Sequence, residues 1–376
     1  MSAEPRLLSR WIRANWQGVS RPVLALAAAF LAGGLLVWAL GSNPFTTYAQ
    51  LLRGGLDGWP NIAVTLQATT PLVFTGLAVA FAFRGGLWNI GVEGQMLFGA
   101  LAAGIVGYAV HLPAPLHVIA SLAAAAIAGS LWAAIPGLLR AYLNVNELVL
   151  SIMLNSIALY LTSFVASRLL KAPGPTNKLP DILPTAQLGQ FTMYSQLNAG
   201  FFIAIALVII VLAFNTLTRR GFEFKMLGLS PRFAHYGGLR VRSSMVQVML
   251  ISGAIAGLGG AEQTLGVYRA YFDGFSPGYG FDGIAVAMLS NNHPLGVLAS
   301  AFLFGALNSG SSVLQMTTNV TKDLVKVLQA IVILMLAAQY FGLFRFRLGR
   351  PRSAAAAPEL TQVSELSQVT PANEGS

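Results

Sequence analysis

Long apolar runs separated by short polar gaps dominate this chain, at 23–40, 62–83, 90–110, 116–139, 148–170, 199–217, 245–265, 295–314 and 324–341. A helix needs roughly 20 apolar residues to cross a hydrocarbon core, so each run is a candidate span. The pattern predicts an all-α polytopic membrane protein. Nine spans conflict with the two ends, however. Arg6, Arg10, Arg13 and Arg21 precede the first run, and Arg345, Arg347, Arg350 and Arg352 follow the last. Lys and Arg favour the cytoplasmic side, so both ends require an even number of crossings. A shorter apolar piece at 279–290, broken by Gly280 and Gly283, supplies the missing one. About ten transmembrane helices are therefore expected, with both termini in the cytoplasm. That topology puts Arg84, Arg140, Arg219, Arg220, Lys225, Arg232, Arg240, Arg242 and both terminal clusters inside, sixteen of the 23 basic residues. Arg53, Arg168, Lys171, Lys178, Arg269, Lys322 and Lys326 fall outside or within spans.

The ends divide the chain further. Residues 1–22 form a basic cytoplasmic segment, in which Leu7, Leu8, Trp11, Ile12 and Trp16 suit a helix lying on the inner surface. The segment resembles the basic region of a secretory signal. No small-x-small site follows, and cleavage would spoil the parity, so the first span is expected to stay. Residues 23–342 make the transmembrane domain, with a cytoplasmic loop at 218–243. The tail 343–376, rich in Ala, Ser, Pro and Gln beyond Pro351, reads as disordered. The outer loop at 171–197, with Pro173, Pro175, Pro180 and Pro184, reads as a docking surface or a stiff connector.

Composition agrees: 55% of the 376 residues are hydrophobic and 10% charged, where soluble proteins carry about a quarter charged. The net charge of +10 is a topology signal. No basic run is interleaved with aromatic platforms, so nucleic acid is not an expected partner; the lipid bilayer is. The absence of cysteine excludes disulfides and thiol catalysis. No Gly-Lys dipeptide occurs, hence no phosphate-binding P-loop. Nucleophile-elbow and H-E-x-x-H patterns are missing as well. His111, His117, His235 and His293 lack metal-ligand spacing. The chain is read as a non-enzyme that binds no cofactor and no metal; if ATP powers transport, another chain hydrolyses it.

Two stretches break the apolar pattern with glycine and polar residues, at 84–95 and 274–283. Unwound backbone at membrane depth is tolerated only against protein or a water-filled path. In the ten-span topology, crossings two to five and seven to ten run in opposite senses, as inverted repeats would. A pair of glycine-broken spans in two such halves points to a substrate path. The candidate path residues are Trp88, Asn89, Glu93, Gln95, Tyr279, Phe281 and Asp282. Glu93 either faces a cavity or caps the third crossing; a mid-span carboxylate costs about 2.5–3.5 kcal/mol on insertion scales. Asp282 caps the short eighth crossing or faces the path. Glu147, after Asn144 and Asn146, is expected to cap the fifth crossing, and Glu262 to reach the outer headgroups.

A basic island runs from Thr218 to Lys225 and on to Arg232, Arg240 and Arg242. Its middle, Gly228-Leu229-Ser230-Pro231-Arg232-Phe233-Ala234-His235-Tyr236-Gly237-Gly238, predicts a short capped helix ended by paired glycines. It is either a rigid knob offered to a cytoplasmic partner or an ordinary solvated loop.

These segments carry a resemblance. Asn89-Ile90-Gly91-Val92-Glu93-Gly94-Gln95 resembles the nucleoside and simple-sugar branch of the bacterial ABC importer permeases, which serve ribose-type sugars, branched-chain amino acids and nucleosides. The 228–238 stretch is similar to that family's coupling loop, often G-x-N-P-x-A-A-x-x-x-G, with Ser230 in the place of Asn and His235 in that of the second Ala. Tyr279–Leu289 with Asn292-His293-Pro294-Leu295-Gly296 resembles a third family motif. The resemblance covers about 62–341. It implies a type II importer-like permease in the bacterial inner membrane, paired with a second, commonly different, permease chain. Paired ABC ATPases that use the ATP would sit below, and a substrate-binding lipoprotein or periplasmic protein would deliver solute above. Gly228, Ser230, Pro231, Ala234, Tyr236 and Gly237 would form the ATPase-coupling element, with Ala234 seated in the partner's cleft. The implied solute is a nucleoside, with simple sugars as the alternative. A secondary transporter is the competing class; it would need no cassette and would rely on intramembrane acids.

Overall fold

The computed structural model describes residues 27–28, 30–39, 41, 43–317, 326–327 and 330–331. The basic segment 1–22, nearly all of the 324–341 run and the tail 343–376 lie outside the described residues.

Helix α1 (Phe30–Ala39) covers the later part of the first predicted run. It is followed by α2 (Pro44–Leu56), which hydropathy alone did not reveal. Asn43 caps α2 by accepting the Phe45 amide at 2.9 Å, Pro44 fills the first turn, and Gly58 at φ +80° breaks α2 from α3. Then come α3 (Gly58–Arg84), α4 (Val92–Ala109), α5 (Ala114–Leu143) and α6 (Glu147–Phe164) with a π-helical extension Val165–Leu169. After the long connection follow α7 (Gly200–Leu217), the short α8 (Arg219–Leu229) and α9 (Pro231–Tyr236), and α10 (Val241–Glu262), extended by the π-turn Gln263–Tyr268. Helices α11 (Tyr279–Leu289) and α12 (Pro294–Thr317) complete the described chain. Seven of these elements are long and apolar enough to cross a membrane. Among the described residues there are helices and two isolated β-bridges but no strand. The fold is all-α and polytopic, as hydropathy predicts.

Helices α3 and α4 are buried nearly all round, whereas α5, α6 and α7 turn large apolar side chains such as Leu131, Ile152 and Ile209 outward. Outward apolar faces on helices of this length are what hydrocarbon solvates. The core is held by close backbone approach. On α10, Gly253 and Gly257 meet Gly129, Ala125 and Ala133 of α5, and a Cβ on Gly99 of α4 would stand 2.7 Å from the Gly257 carbonyl carbon. Small residues let helices touch where no hydrophobic effect drives them together.

The basic residues segregate by end. At one end Arg84 donates to the Asn215 carbonyl at 3.4 Å, Arg140 pairs with Glu147 at 3.2 Å, and Arg242 lies 5.8 Å over the Tyr142 ring. Arg168, Lys178 and Arg269 lie at the other, far end. Asn146, not Glu147 as expected, caps α6 by accepting the Leu148 amide; Glu147 sits in the first turn and pairs with Arg140.

Two expectations change, those for α11 and for Glu262. Helix α11, with 11 residues, is about 16 Å long, half a hydrocarbon core. The non-helical stretch 269–278 supplies the rest of that descent. The 171–199 connection lies over the end of α10, with Leu179 N–H to Tyr271 O at 3.0 Å, Ile182 N–H to Arg269 O at 2.9 Å and Leu188 N–H to Leu265 O at 3.0 Å. It also buries Glu262, which was expected at headgroups. Glu262 instead accepts from Asn198 at 2.9 Å and Gln263 at 2.7 Å.

Candidate functional site

The first break follows α3. Leu87 N–H closes on Ala82 O at 3.1 Å, and Gly86 turns the chain at φ +76°. The backbone then runs without helical bonds to Gly91, and side chains take over its hydrogen bonding. Asn89 and Gln95 pair amide to amide, with both bonds 2.9 Å. Asn89 also donates to Ser252 Oγ at 2.7 Å, and Ser252 donates on to Ala78 O at 2.7 Å. From α6, Asn155 accepts the Gly94 amide and donates to Ile90 O, each at 2.9 Å. Irregular backbone at this depth survives because protein groups satisfy it. Asn89 and Gln95, candidates for the path, thus spend their side-chain amides on the scaffold and are fully buried. Asn155 and Ser252 escaped the sequence reading; their signal was a lone polar residue inside an apolar run. Trp88 packs tilted against Phe83, with ring centroids 4.7 Å apart.

The second break precedes α11. Gly274 and Gly278 take positive φ (+73° and +109°), and Ser276 Oγ accepts from the Gly278 and Tyr279 amides at 3.2 Å. The two breaks converge. Glu93, in the first turn of α4 and 9% exposed, accepts the Gly280 amide of α11 at 2.6 Å. A Cβ on Gly280 would lie 2.6 Å from Glu93 Cα, and one on Gly283 would lie 2.7 Å from Thr75 Cβ. Glycine is required at both positions for α11 to enter between α3 and α4. Glu93 lies in the first turn of α4, where one reading put it, and its carboxylate reaches across to the first turn of α11, which neither reading foresaw. Asp282 lies in the first turn of α11, partly exposed, beside Phe281, which is 46% exposed; Tyr279 is half-buried. At the junction Asn89, Glu93 and Gln95 are buried with partners, Phe281 faces outward, and the partly exposed Asp282 hydrogen-bonds Asn308 of α12. No group of three His, Asp or Glu among the described residues could hold a metal ion.

The coupling candidates form α8 and α9. Thr218 caps α8 through the Gly221 amide at 3.0 Å, and Glu223 pairs with Arg219 and Arg220 at 3.1 Å. Ser230 caps α9 through the Phe233 amide at 3.3 Å, Pro231 begins it, and Gly237 with Gly238 (φ +81°) ends it. This is the short capped helix that the pattern predicts. Ala234 departs from the expectation. It is 4% exposed and turned into its own chain, where Leu239 N–H bonds its carbonyl at 3.0 Å. The outward surface is Leu229, Phe233 at 61% and Tyr236 at 88% exposure. At the root of this element Gly228 abuts the first break, and a Cβ on Gly86 would stand 2.8 Å from Gly228 Cα.

With this geometry in view, the chain is similar to known proteins over most of its length. The family described as branched-chain amino acid transport system, permease component, matches residues 61–337. A guanosine ABC transporter permease protein, NupP of Bacillus subtilis, is 38% identical over 339 residues, 89% of this chain and 97% of the relative. A glucose ABC transporter permease protein, TsgB13 of Haloferax volcanii, is 33% identical over 364 residues, 93% of this chain and 94% of that one. A nucleoside ABC transporter permease protein, NupB of Lactococcus lactis, is 33% identical over 337 residues, 85% and 90% of the two chains. A family match over residues 61–337, breaks and coupling element included, leads to one conclusion: the chain belongs to the permease component family of branched-chain amino acid transport systems.

Proposed function

We propose that this chain is the membrane permease of an ATP-driven importer for nucleosides. The observation that carries the reading is near full-length similarity to permeases named for guanosine and for nucleosides. In this reading the basic end faces the cytoplasm of a bacterial cell, both termini lie there, and the chain makes ten crossings of the inner membrane. A second permease chain completes the path, and a binding protein or lipoprotein delivers solute at the far end. ATP is bound and hydrolysed by a cassette subunit that docks on Leu229, Phe233 and Tyr236. Closure of the cassettes pushes α8–α9 as a rigid body. The push reaches the first break through the Gly228–Gly86 contact, then α4, and then α11 through Glu93. Phe281 and Tyr279 are aromatic faces on which a base can stack, and Asp282 can accept from sugar hydroxyls.

Glucose or another simple sugar is the second reading, favoured by the glucose-named relative. The test is uptake of labelled uridine and adenosine by the reconstituted complex, with unlabelled ribose, galactose, glucose and leucine as competitors. Nucleosides are expected to enter and to compete. If a sugar enters while nucleosides neither enter nor compete, the nucleoside reading is wrong. Cysteine labelling of this cysteine-free chain tests the topology: positions after Arg53 and Gln187 should react from outside, and after Arg140, Arg232 and Asn292 from inside.

A further inference from the structure

Glu93 is one of two carboxylates among the candidate path residues, and the structure gives it a partner within the chain. Its Oε2 takes the Gly280 amide at 2.6 Å, at the positive end of α11, across 187 residues of sequence. A carboxylate on a helix N-terminal amide is charge-assisted, and it is strongest where water is excluded. The contact is also steric, because the α11 backbone lies against Glu93 with no room for a side chain at 280. The α4 side of the joint is itself fixed. Asn155 holds Ile90 and Gly94 on either side of the helix start, and the Asn89–Gln95 pair ties it to Ser252 of α10. Ser276 also hydrogen-bonds the Glu93 side chain, so the groups around Glu93 hold its carboxylate against the segment that opens α11.

We propose that Glu93 is a positioning residue that clamps the start of α11 onto the start of α4, so that the two half-helices move as one body through the transport cycle and the solute is met by other groups. The inference rests on the permease reading but not on which solute is carried.

Three variants test it in the reconstituted complex, read by uridine uptake and by solute-stimulated ATP turnover. Glu93→Gln keeps a carbonyl acceptor for the Gly280 amide, and should retain most of the maximal rate. Glu93→Ala removes the acceptor and should lower that rate by roughly tenfold or more, the scale of a lost charge-assisted hydrogen bond. Half-saturation and the order of preferred solutes should stay unchanged in both. The third variant is the pair Glu93→Cys with Gly280→Cys. A Cβ at 280 lies 2.8 Å from Glu93 Cβ, so a shift of about 1 Å reaches disulfide geometry. Oxidation then replaces the clamp with a covalent bond. Uptake that is present when oxidised and lost when reduced supports a joint that stays closed. Uptake present only when reduced shows that the joint must open, and overturns the proposal. Loss of activity in Glu93→Gln equal to that in Glu93→Ala, or a reordering of solutes by either, overturns it as well, and these two comparisons stand even if the paired variant does not fold. A wild-type complex that turns over ATP with a sugar but not with uridine refutes the nucleoside reading alone; the same variants are then compared on that sugar.

Discussion

Asn155→Ala offers the sharpest test of how the first break is held. This side chain makes two bonds of 2.9 Å, to the Gly94 amide and the Ile90 carbonyl. Neither backbone group has a helical alternative. Gly94 is in the first turn of α4, where amides lack intrahelical partners, and Ile90 lies in the non-helical stretch. Orphaning a buried polar group costs about 1–3 kcal/mol in soluble proteins. Hydrogen bonds between membrane helices average about 0.6 kcal/mol and reach about 1.7, since alternatives are usually found. With relaxation blocked, the upper part of that range applies to each bond, giving about 2–3 kcal/mol for the pair. The assay is unfolding of purified permease by titrated SDS in mixed micelles, followed by far-UV circular dichroism. Ile152→Ala, one turn earlier on the lipid-facing side of the same helix, is the control. The control should move stability by about 0.5 kcal/mol or less. Equal midpoints for Asn155→Ala and Ile152→Ala would refute the account of a side-chain-supported break.

Gly257→Leu should prevent folding, because α4 and α5 both reach the α10 backbone there; size exclusion of a fluorescent fusion would show aggregate in place of a single peak. Phe233→Ala with Tyr236→Ala should weaken ATPase co-purification while leaving thermal melting of the permease unchanged. Ala234→Asp should lower that melting temperature, since the new charge faces its own chain. Arg140→Ala leaves the buried Glu147 carboxylate without its partner at 3.2 Å and should cost about 1–3 kcal/mol; adding Glu147→Ala should recover part of the loss in a double-mutant cycle.

Hydropathy located every long helix from α3 to α12, because length and apolarity are local properties. It missed α2, whose thirteen residues are too polar and too short, and whose start depends on the Asn43 cap. The two glycine-rich breaks were also legible, since only glycine and polar residues interrupt runs of this kind. Their convergence was not: nothing local to Glu93 names Gly280 as its partner. The same limit hid the partners of Asn89 and Gln95. An amide in an apolar span reads as a ligand contact until the opposing amide is seen, and only the fold puts the two face to face. Glu262 was sent to the headgroups because Asn198, which buries it, lies 64 residues away. For Ala234, small size was legible in the motif, while the face of the helix it occupies was set by the chain that α9 folds back on.

The span of these contacts bears on how the protein is made. Asn89 finds Ser252 163 residues later, and Glu93 finds Gly280 187 residues later. At about 5–20 residues per second of synthesis, an interval of roughly 10–40 seconds separates the emergence of α4 from that of α11. Throughout that interval a carboxylate and an unwound segment stand in or beside lipid without their final partners. The first half of the chain therefore cannot mature alone. It has to wait within the insertion machinery, or against its own partly built helices, until α10 and α11 arrive. A ribosome stalled before residue 280 would leave an intermediate whose Glu93 carboxyl lacks its α11 partner, a natural target for membrane quality-control proteases.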